Sequence, residues 1–424
     1  LDIVFLTHYF PPEGNAPASR TYEHCARWVK QGVNVTVITC TPNVPNGVVY
    51  EGYRNRFWPQ RETIDGINVI RVWTFIAPNS GAIRRILNYS TFLFSAIIAF
   101  LFFCKRPNIV VATSPQFFCG WAGTICSILK WRPFVLEVRD IWPESIVAVG
   151  AMRRGLTTWF LEILEKWMYQ SATHIVAVGN GYKEAILRRV PNLKNVSVIT
   201  NGVDLNNFTI KEPDSKFLSD WKLEDKFVCS YVGTLGMAHG LEVVVEAARQ
   251  LKHIGREDIA FCLVGDGAQR SFLESESEKH GLQDNLIFTG RLPKEEMGNV
   301  LASSDALLIH LRPCDLFKTV IPSKIFEAMA MERPIVMGVD GEAREIVAAS
   351  QSGIDMRPGN AEDLVECVCK LADDPDLKKQ LSGARNFVGK NYTRDVLAAK
   401  FLTVLEAVSN GRPTPTAEQA STNP

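Results

Sequence analysis

The sequence predicts an α/β chain of two doubly wound parallel-sheet domains in series, with a deep cleft between them. Three observations carry this. Short Val/Ile-rich runs recur without polar alternation, as strands buried on both faces of a parallel sheet require. Amphipathic stretches at helical spacing lie between them. The rhythm stops after Asn201-Gly202-Val203-Asp204 and restarts at Val228.

The first half opens with a strand at Ile3–Leu6, a loop through Pro11-Pro12-Glu13-Gly14 and a helix from about Ala18 to Gln31. Further strands are expected at Val33–Thr39, Ile67–Trp73, Ile109–Thr113, Phe134–Val138, Ile175–Val178 and Val196–Ile199. Apolar residues of Trp159–Met168 fall at helical spacing and read as core packing. Leu205–Lys226 is polar and contains Pro213, which suits a linker. The second half places strands at Val228–Val232, Ile259–Val264, Leu286–Thr289, Ala306–Leu311 and Pro334–Met337. Helices are expected at Glu242–His253, Gln269–His280, Lys294–Ala302, Ser323–Met331 and Glu342–Ala349. The expected organisation is therefore a domain at 1–200, a linker at 201–227 and a domain at 228–390. A terminal helix within 391–410 and a disordered polar tail at 411–424 complete it. Sheets of this kind bind ligands beyond the carboxyl ends of their strands.

Composition narrows the function. The 46 basic and 46 acidic side chains balance, so no basic field exists to attract nucleic acid. At 46% hydrophobic the chain is too apolar for a disordered protein. The ten Cys sit mostly in apolar runs and form no C-x-x-C pair, which reads as small hydrophobes in a reducing compartment. Leu1–Leu6 reads as a strand, not a targeting segment, and the start without Met reads as trimmed.

Ile86–Cys104 breaks the pattern. Its 19 residues carry no charge, and Arg84-Arg85 and Lys105-Arg106 flank it. As a helix it would be roughly 28 Å long, enough to cross a bilayer core. Three readings stand: a spanning helix, a shallow interfacial helix and a buried core helix. A spanning helix would place consecutive strands of one sheet on opposite sides of the membrane.

Several motifs are missing: no G-x-x-x-x-G-K-[ST], no G-x-G-x-x-G after the first strand, no H-E-x-x-H. The one D-x-D, Asp374-Pro375-Asp376, looks like a helix start, where Asp374 would cap. Metal-dependent sugar transfer built on an internal D-x-D has no anchor, and no metal is expected. Glycine-rich turns are present. Gly233, Gly236 and Gly240 follow the first strand of the second domain, and Gly265-Asp266-Gly267 repeats the pattern. Closely spaced glycines let backbone N–H groups approach an anion, although ordinary turns use them too. The loop Phe10–Arg20 is longer than a connection needs, and Arg20 either faces the cleft or is solvent-exposed.

The sharpest element is Ile321–Val336. Pro322 and Ser323 start a helix, with Ser323 as N-cap. Free N–H groups and Lys324 make an anion site. Glu327, three residues from Lys324, shares its side of the helix. A carboxylate there can accept two ribose hydroxyls.

Together these pieces resemble the retaining, GT-B-fold glycosyltransferases of family four, which have two Rossmann-like domains. The resemblance rests on the Pro/Gly loop after strand one, Glu137–Glu144, Asn201–Asp204, Tyr231–Thr234, Gly265–Gly267, Ala302–Ala306 and Pro322–Pro334. The Asp-Ile-Trp-Pro-Glu and Pro-Ser-Lys-Ile-Phe-Glu strings look most like bacterial surface-polysaccharide enzymes, including O-antigen fucosamine transferase-like members. The resemblance implies that Glu327 holds the donor ribose. The family's first Glu is Thr319 here, so backbone N–H groups around Lys318–Val320 would serve the donor sugar. The family's loop Arg and Lys are Thr234 and His239 here, leaving charge to Lys324, Lys318 or Arg291, with Lys324 favoured. Asp140, at the end of its strand, stands near the reacting sugar or caps a helix. Glu13, Gly14, Asn15 and Arg20 would lie on the acceptor side. The implied activity is metal-free transfer from a nucleotide sugar, most simply a UDP-sugar, to a polyprenyl-diphosphate-linked glycan. The protein would work in the cytoplasm at the inner membrane face, attached through Ile86–Cys104. Alternatives are a nucleotide-sugar epimerase on the same architecture, a non-catalytic sugar-nucleotide subunit (suggested by Thr319, Thr234 and His239), and a membrane scaffold.

Overall fold

A computed structural model describes residues 1–44, 46–77, 82–114, 116–144, 147 and 153–414. The chain divides into two units: Leu1–Asn201 with Arg394–Pro424, and Gly202–Thr393.

The first unit holds β1 (Asp2–Leu6), α1 (Ala16–Lys30), β2 (Asn34–Cys40), β3 (Gln60–Ile64), β4 (Ile67–Val72), α2 (Ala82–Phe103), β5 (Ile109–Thr113) and α3 (Phe117–Lys130). It continues with β6 (Phe134–Val138), α4 (Leu156–Ser171), β7 (His174–Ala177), α5 (Asn180–Arg189) and β8 (Val196–Val198). The sheet order is β3-β4-β2-β1-β5-β6-β7-β8, and only the edge pair β3–β4 is antiparallel. The sequence reading missed β3 because its polar residues Gln60–Thr63 lie at an edge instead of forming an apolar run. Its signal was Asp65-Gly66 between Ile64 and Ile67; both residues have positive φ, as a two-residue hairpin turn requires.

Successive residues of each central strand feed opposite layers, which is why these strands read as continuous apolar runs. Val4, Leu6, Val110 and Ala112 pack toward α2 and α3; Ile3, Phe5, Ile109 and Val111 pack with Trp28 of α1. Asn15 caps α1 by accepting the Ala18 amide, and Arg27 and Lys30 oppose the dipole in its last turn. The terminal helix returns to this layer, with Leu397, Phe401 and Leu405 in the same core as Trp28. The Trp28 indole donates to the Ala398 carbonyl at 2.9 Å. The part of the polar tail from residue 415 lies outside the described residues.

The second unit holds α6 (Ser215–Asp220), β9 (Phe227–Val232), α7 (Glu242–His253), β10 (Ile259–Val264), α8 (Arg270–Lys279), β11 (Leu286–Gly290), α9 (Met297–Ala302) and β12 (Ala306–His310). Then come α10 (Lys324–Ala330), β13 (Ile335–Gly338), α11 (Glu342–Ser350), β14 (Gly353–Asp355), α12 (Ala361–Asp373), α13 (Pro375–Gln380) and α14 (Arg385–Asn391). The terminal helix is α15 (Arg394–Ser409). This sheet is parallel throughout, in the order β11-β10-β9-β12-β13-β14, so the strand order reverses between β9 and β12. Asp374 caps α13, its side chain accepting the Leu377 amide. Residues 205–226, expected as a linker, instead belong to this unit. Asp214 caps α6 by accepting the Lys216 and Phe217 amides, and Phe217 and Leu223 enter a core with Val228 and Cys262. A few apolar side chains in a polar stretch suffice to dock it.

The Ile86–Cys104 segment lies in α2 up to Phe103. Phe92, Ala96, Ala99 and Phe100 pack into the core, while Phe94, Ile98, Leu101 and Phe102 face solvent, Phe94 at 65% and Phe102 at 78% exposure. One face of the apolar helix is therefore core and the other is an uncovered apolar surface.

Candidate functional site

The site forms at the strand-order reversal of the second unit. Gly233 ends β9 with φ +144°, as does Gly265 after β10. The two turns stack. Gly233 N–H donates to the Val264 carbonyl at 2.8 Å and Gly265 N–H to the Gly290 carbonyl at 2.9 Å. A Cβ at Gly265 would overlap the Gly233 carbonyl, so the close backbone approach itself requires glycine. We expect Gly265→Ala to strain this turn and lower the melting temperature by at least about 5 °C; an unchanged melting temperature would contradict it.

Lys324 reaches this turn. Its ammonium stands 3.8 Å from the centre of the Tyr231 ring, and a Cβ on Gly233 would collide with it. The Tyr231 hydroxyl donates to the Thr234 carbonyl at 2.9 Å, fixing the ring beneath the charge. Burial lowers the Lys324 pKa to about 8, with Glu327 pulling the other way. Glu327 is half-buried one helical turn on. The His239 ring lies 5.7 Å from that of Tyr231. Burial first, then the Lys324 charge, bring its pKa down to about 4, so the imidazole is neutral at pH 7. Lys324 thus brings positive charge to a loop that has Thr234 and His239 where the resemblance expected Arg and Lys.

Other expected contributors are placed differently. Ser323 already has helical φ and ψ, and its side chain makes no capping bond. The Ile325 and Phe326 amides donate to the Pro322 and Ser323 carbonyls, so these two of the N–H groups expected to be free at this helix start are spent in a tight turn. The Val320 amide donates to the Phe317 carbonyl, and the Thr319 hydroxyl turns inward to the Leu316 carbonyl at 2.7 Å. Both donors are therefore already used within the chain, and the Thr319 hydroxyl keeps only its acceptor capacity. Lys318 is exposed and paired with Asp315 at 2.8 Å. Its backbone is pinned against Gly341, where a Cβ would overlap the Lys318 carbonyl. Lys318 also lines a cleft of about 330 Å³ with Arg312, Asp315, Phe317, Asp340 and Pro358. Arg291 is exposed just beyond β11, Thr234 is exposed, and Gly236 precedes the short helix Met237–His239.

In the first unit the acceptor-side set is largely structural. Arg20 is buried, not solvent-exposed. Its Nε donates to Glu137 at 2.8 Å, and its other nitrogens donate to the Thr200 carbonyl at 2.6 Å, the Ile199 carbonyl at 2.8 Å and the Asn201 side chain at 3.1 Å. Glu13 is buried and accepts the Asn43 and Val44 amides at 3.0 and 3.1 Å; burial pushes its pKa up. Asn15 is used as the cap of α1, and Gly14 is exposed. Asp140 is half-buried two residues past β6, and its charge reaches Tyr169. The sequence reading gave no role to Glu137 or Arg139. Arg139 donates to the Pro17 and Ala16 carbonyls, holding the start of α1. A Glu at the end of an apolar strand followed by Arg was the available signal. Among the described residues no cluster of three or more His, Cys, Asp or Glu is placed to hold a metal.

Comparisons with known proteins cover both units. The Glycosyltransferase Family 4 model matches residues 18–207, and the model for glycosyl transferases group 1 matches residues 214–385. The chain is similar to "Probable glycosyltransferase WbjE" of Pseudomonas aeruginosa, with 28% identity over 282 residues, 64% of this chain and 67% of that one. It is 23% identical over 342 residues to WcaI of Escherichia coli, a glycosyl transferase named for colanic acid biosynthesis, covering 76% of this chain and 79% of that one. Among solved structures, Anabaena HepE in complex with UDP-glucose superposes with TM-score 0.68 at 16% identity, covering 96% of this chain and 99% of that one. With a parallel-sheet α/β architecture in each unit, the chain is a glycosyltransferase of the GT-B fold, its first unit carrying the family-4 region and its second the group-1 region.

Proposed function

We propose that the protein transfers a sugar, with retention of configuration, from a UDP-sugar to a polyprenyl-diphosphate-linked glycan during bacterial surface-polysaccharide synthesis. The observation that carries this is the Lys324 ammonium held on Tyr231 at the Gly233 turn, one helical turn from Glu327. The ribose hydroxyls donate to the Glu327 carboxylate, and the diphosphate lies at Lys324. The acceptor hydroxyl attacks the anomeric carbon on the face the diphosphate leaves. As the C–O bond to the diphosphate breaks, a departing phosphate oxygen takes the acceptor proton. Lys324 neutralises the charge growing on that phosphate, a role a fixed ammonium fills without a metal. Asp140 serves the acceptor side from the first unit. The UDP-glucose complex of HepE and the naming of WcaI support the donor and pathway classes. Incubation with UDP-sugars and a lipid extract should label a lipid-linked product, and Glu327→Ala should raise donor KM about tenfold. Hydrolysis or epimerisation of the donor without any labelled lipid would contradict transfer.

The charge on Lys324 sets a pH dependence. Its protonated form is lost as pH rises through about 8, so kcat/KM should fall on an alkaline limb there. Glu327 raises that pKa, so Glu327→Gln should move the limb to lower pH. A pH profile without an alkaline limb, or one unmoved in Glu327→Gln, would count against this role.

The protein works in the cytoplasm, attached peripherally to the inner membrane face. The support is the uncovered apolar face of α2 together with Ile128, Leu129 and Trp131 at the end of α3, Trp131 at 85% exposure. Lys130 ties the two helices, donating to the Phe100 and Cys104 carbonyls at 2.8 and 2.6 Å. Arg61 donates to the Phe103 carbonyl at 3.1 Å and Arg106 to the Lys130 carbonyl at 3.2 Å. Basic residues thus rim the apolar end, as an anionic lipid surface favours. Phe94→Glu/Phe102→Glu should abolish flotation with anionic vesicles and leave the melting temperature within about 2 °C, because both side chains are exposed. Absence of flotation by the unaltered protein at low salt would overturn the attachment.

A further inference from the structure

The strand Ala306–His310 ends on a buried imidazole to which the donor reading gives no role. Both ring nitrogens of His310 are engaged. The Gly359 N–H donates to Nε2 at 2.8 Å, so Nε2 carries no proton. Nδ1 therefore holds the proton of the neutral ring and donates it to the His239 carbonyl at 2.6 Å. Burial favours the same neutral form. The ring fills space that glycine leaves open: a Cβ on Gly338 would lie 2.5 Å from Cδ2, and one on Gly240 3.4 Å from Cε1.

The carbonyl it grips is one residue before Gly240, whose φ of +58° turns the chain toward α7. β9 and β12 are neighbours, so this bond crosses the point of strand reversal at the ends of both strands. Two further ties run between the same segments. The Arg312 amide donates to the Ala238 carbonyl at 2.9 Å, and the Arg312 guanidinium meets Glu242 at 2.6 Å. Arg312 bridges these two segments, and His310 also joins them to Gly359. A loop carrying Thr234 and His239 lacks the charges that would organise themselves around a diphosphate. Such a loop depends on being held in place beforehand.

We propose that His310 is a positioning residue for the donor diphosphate, fixing the Gly233–Gly240 turn against Lys324 through the His239 carbonyl and the Gly359 amide. The proposal rests on the reading of the second unit as the donor site. Calorimetry with UDP and with UMP, which lacks the β-phosphate, tests it. In His310→Leu the UDP Kd should rise roughly tenfold or more, as expected when a contact group is displaced, while the UMP Kd stays within threefold. His310→Asn, which keeps one donor and one acceptor, should recover most of the UDP affinity. Equal weakening of both nucleotides, or of neither, would overturn the proposal. Should His310→Leu fail to fold, nitrogen NMR of the unaltered protein decides. The Nδ1–H resonance of His310 should shift on saturation with UDP and not with UMP, and a resonance indifferent to both would overturn it. Glu327→Ala separates the two levels. If it leaves UDP binding unchanged, the donor reading itself fails; if it weakens binding while His310→Leu does not, only the role of His310 falls.

Discussion

Lys324→Ala is expected to lower kcat about 100- to 1000-fold, the loss typical when a single group stabilising transition-state charge is removed. Three features make this the largest catalytic effect in the second unit. The ammonium is fixed by the Tyr231 ring and crowded against Gly233, so it loses little freedom when a phosphate arrives. The loop itself offers Thr234 and a neutral His239, so no cation of that loop substitutes for it. Lys318 is exposed and already paired with Asp315. The folded protein should survive the change. Burial disfavours the charge on Lys324, so its removal relieves a desolvation cost instead of breaking a net stabilising bond. Steady-state kinetics with a melting curve check both halves. An unchanged kcat in a folded variant would remove Lys324 from the chemistry.

Arg20→Ala is expected to cost about 3–5 kcal/mol of stability in the first unit, because it strands a buried carboxylate. Glu137 is fully buried, which alone would raise its pKa. The attraction of Arg20, helped by Arg139 and His24, overcomes that and leaves it at about 2. A carboxylate depressed below its unfolded value of roughly 4.3 contributes stability that is present above that pH. The contribution is lost as pH falls toward 2. The deficit of Arg20→Ala relative to the unaltered protein should therefore be largest at pH 7 and shrink below about pH 4. Urea titrations at pH 7 and pH 3.5 measure it. Arg20 also grips the Ile199 and Thr200 carbonyls, just before the chain leaves the first unit at Asn201, so the same variant should loosen residues 199–201 in hydrogen exchange.

The apolar runs of β5, β6 and β10 were legible to the residue, because a strand covered on both faces leaves its side chains one choice. The edge strands β3 and β14 were not, since an edge strand need not be apolar. Glu327 and Lys324 could be assigned to one side of one helix from their spacing alone. What spacing could not give was where Lys324 ends. Its contact with Tyr231 joins a helix start to a strand end some ninety residues away in sequence. Distance in sequence also hid His310, whose partners His239 and Gly359 lie 71 and 49 residues away. Arg20 was misread for a related reason: a lone Arg on an amphipathic helix reads as surface until Glu137, 117 residues away, is placed beside it. Ser323 followed a capping rule that the tight turn at Pro322 overrides.

Calorimetric titration of UDP into the unaltered protein and into Glu327→Ala tests most directly that the 324–327 turn holds a nucleoside diphosphate. A single site in the unaltered protein, weakened at least tenfold in the folded variant, is the predicted result. UDP binding of equal strength in both, or no binding of any nucleoside diphosphate to the unaltered protein, would contradict it.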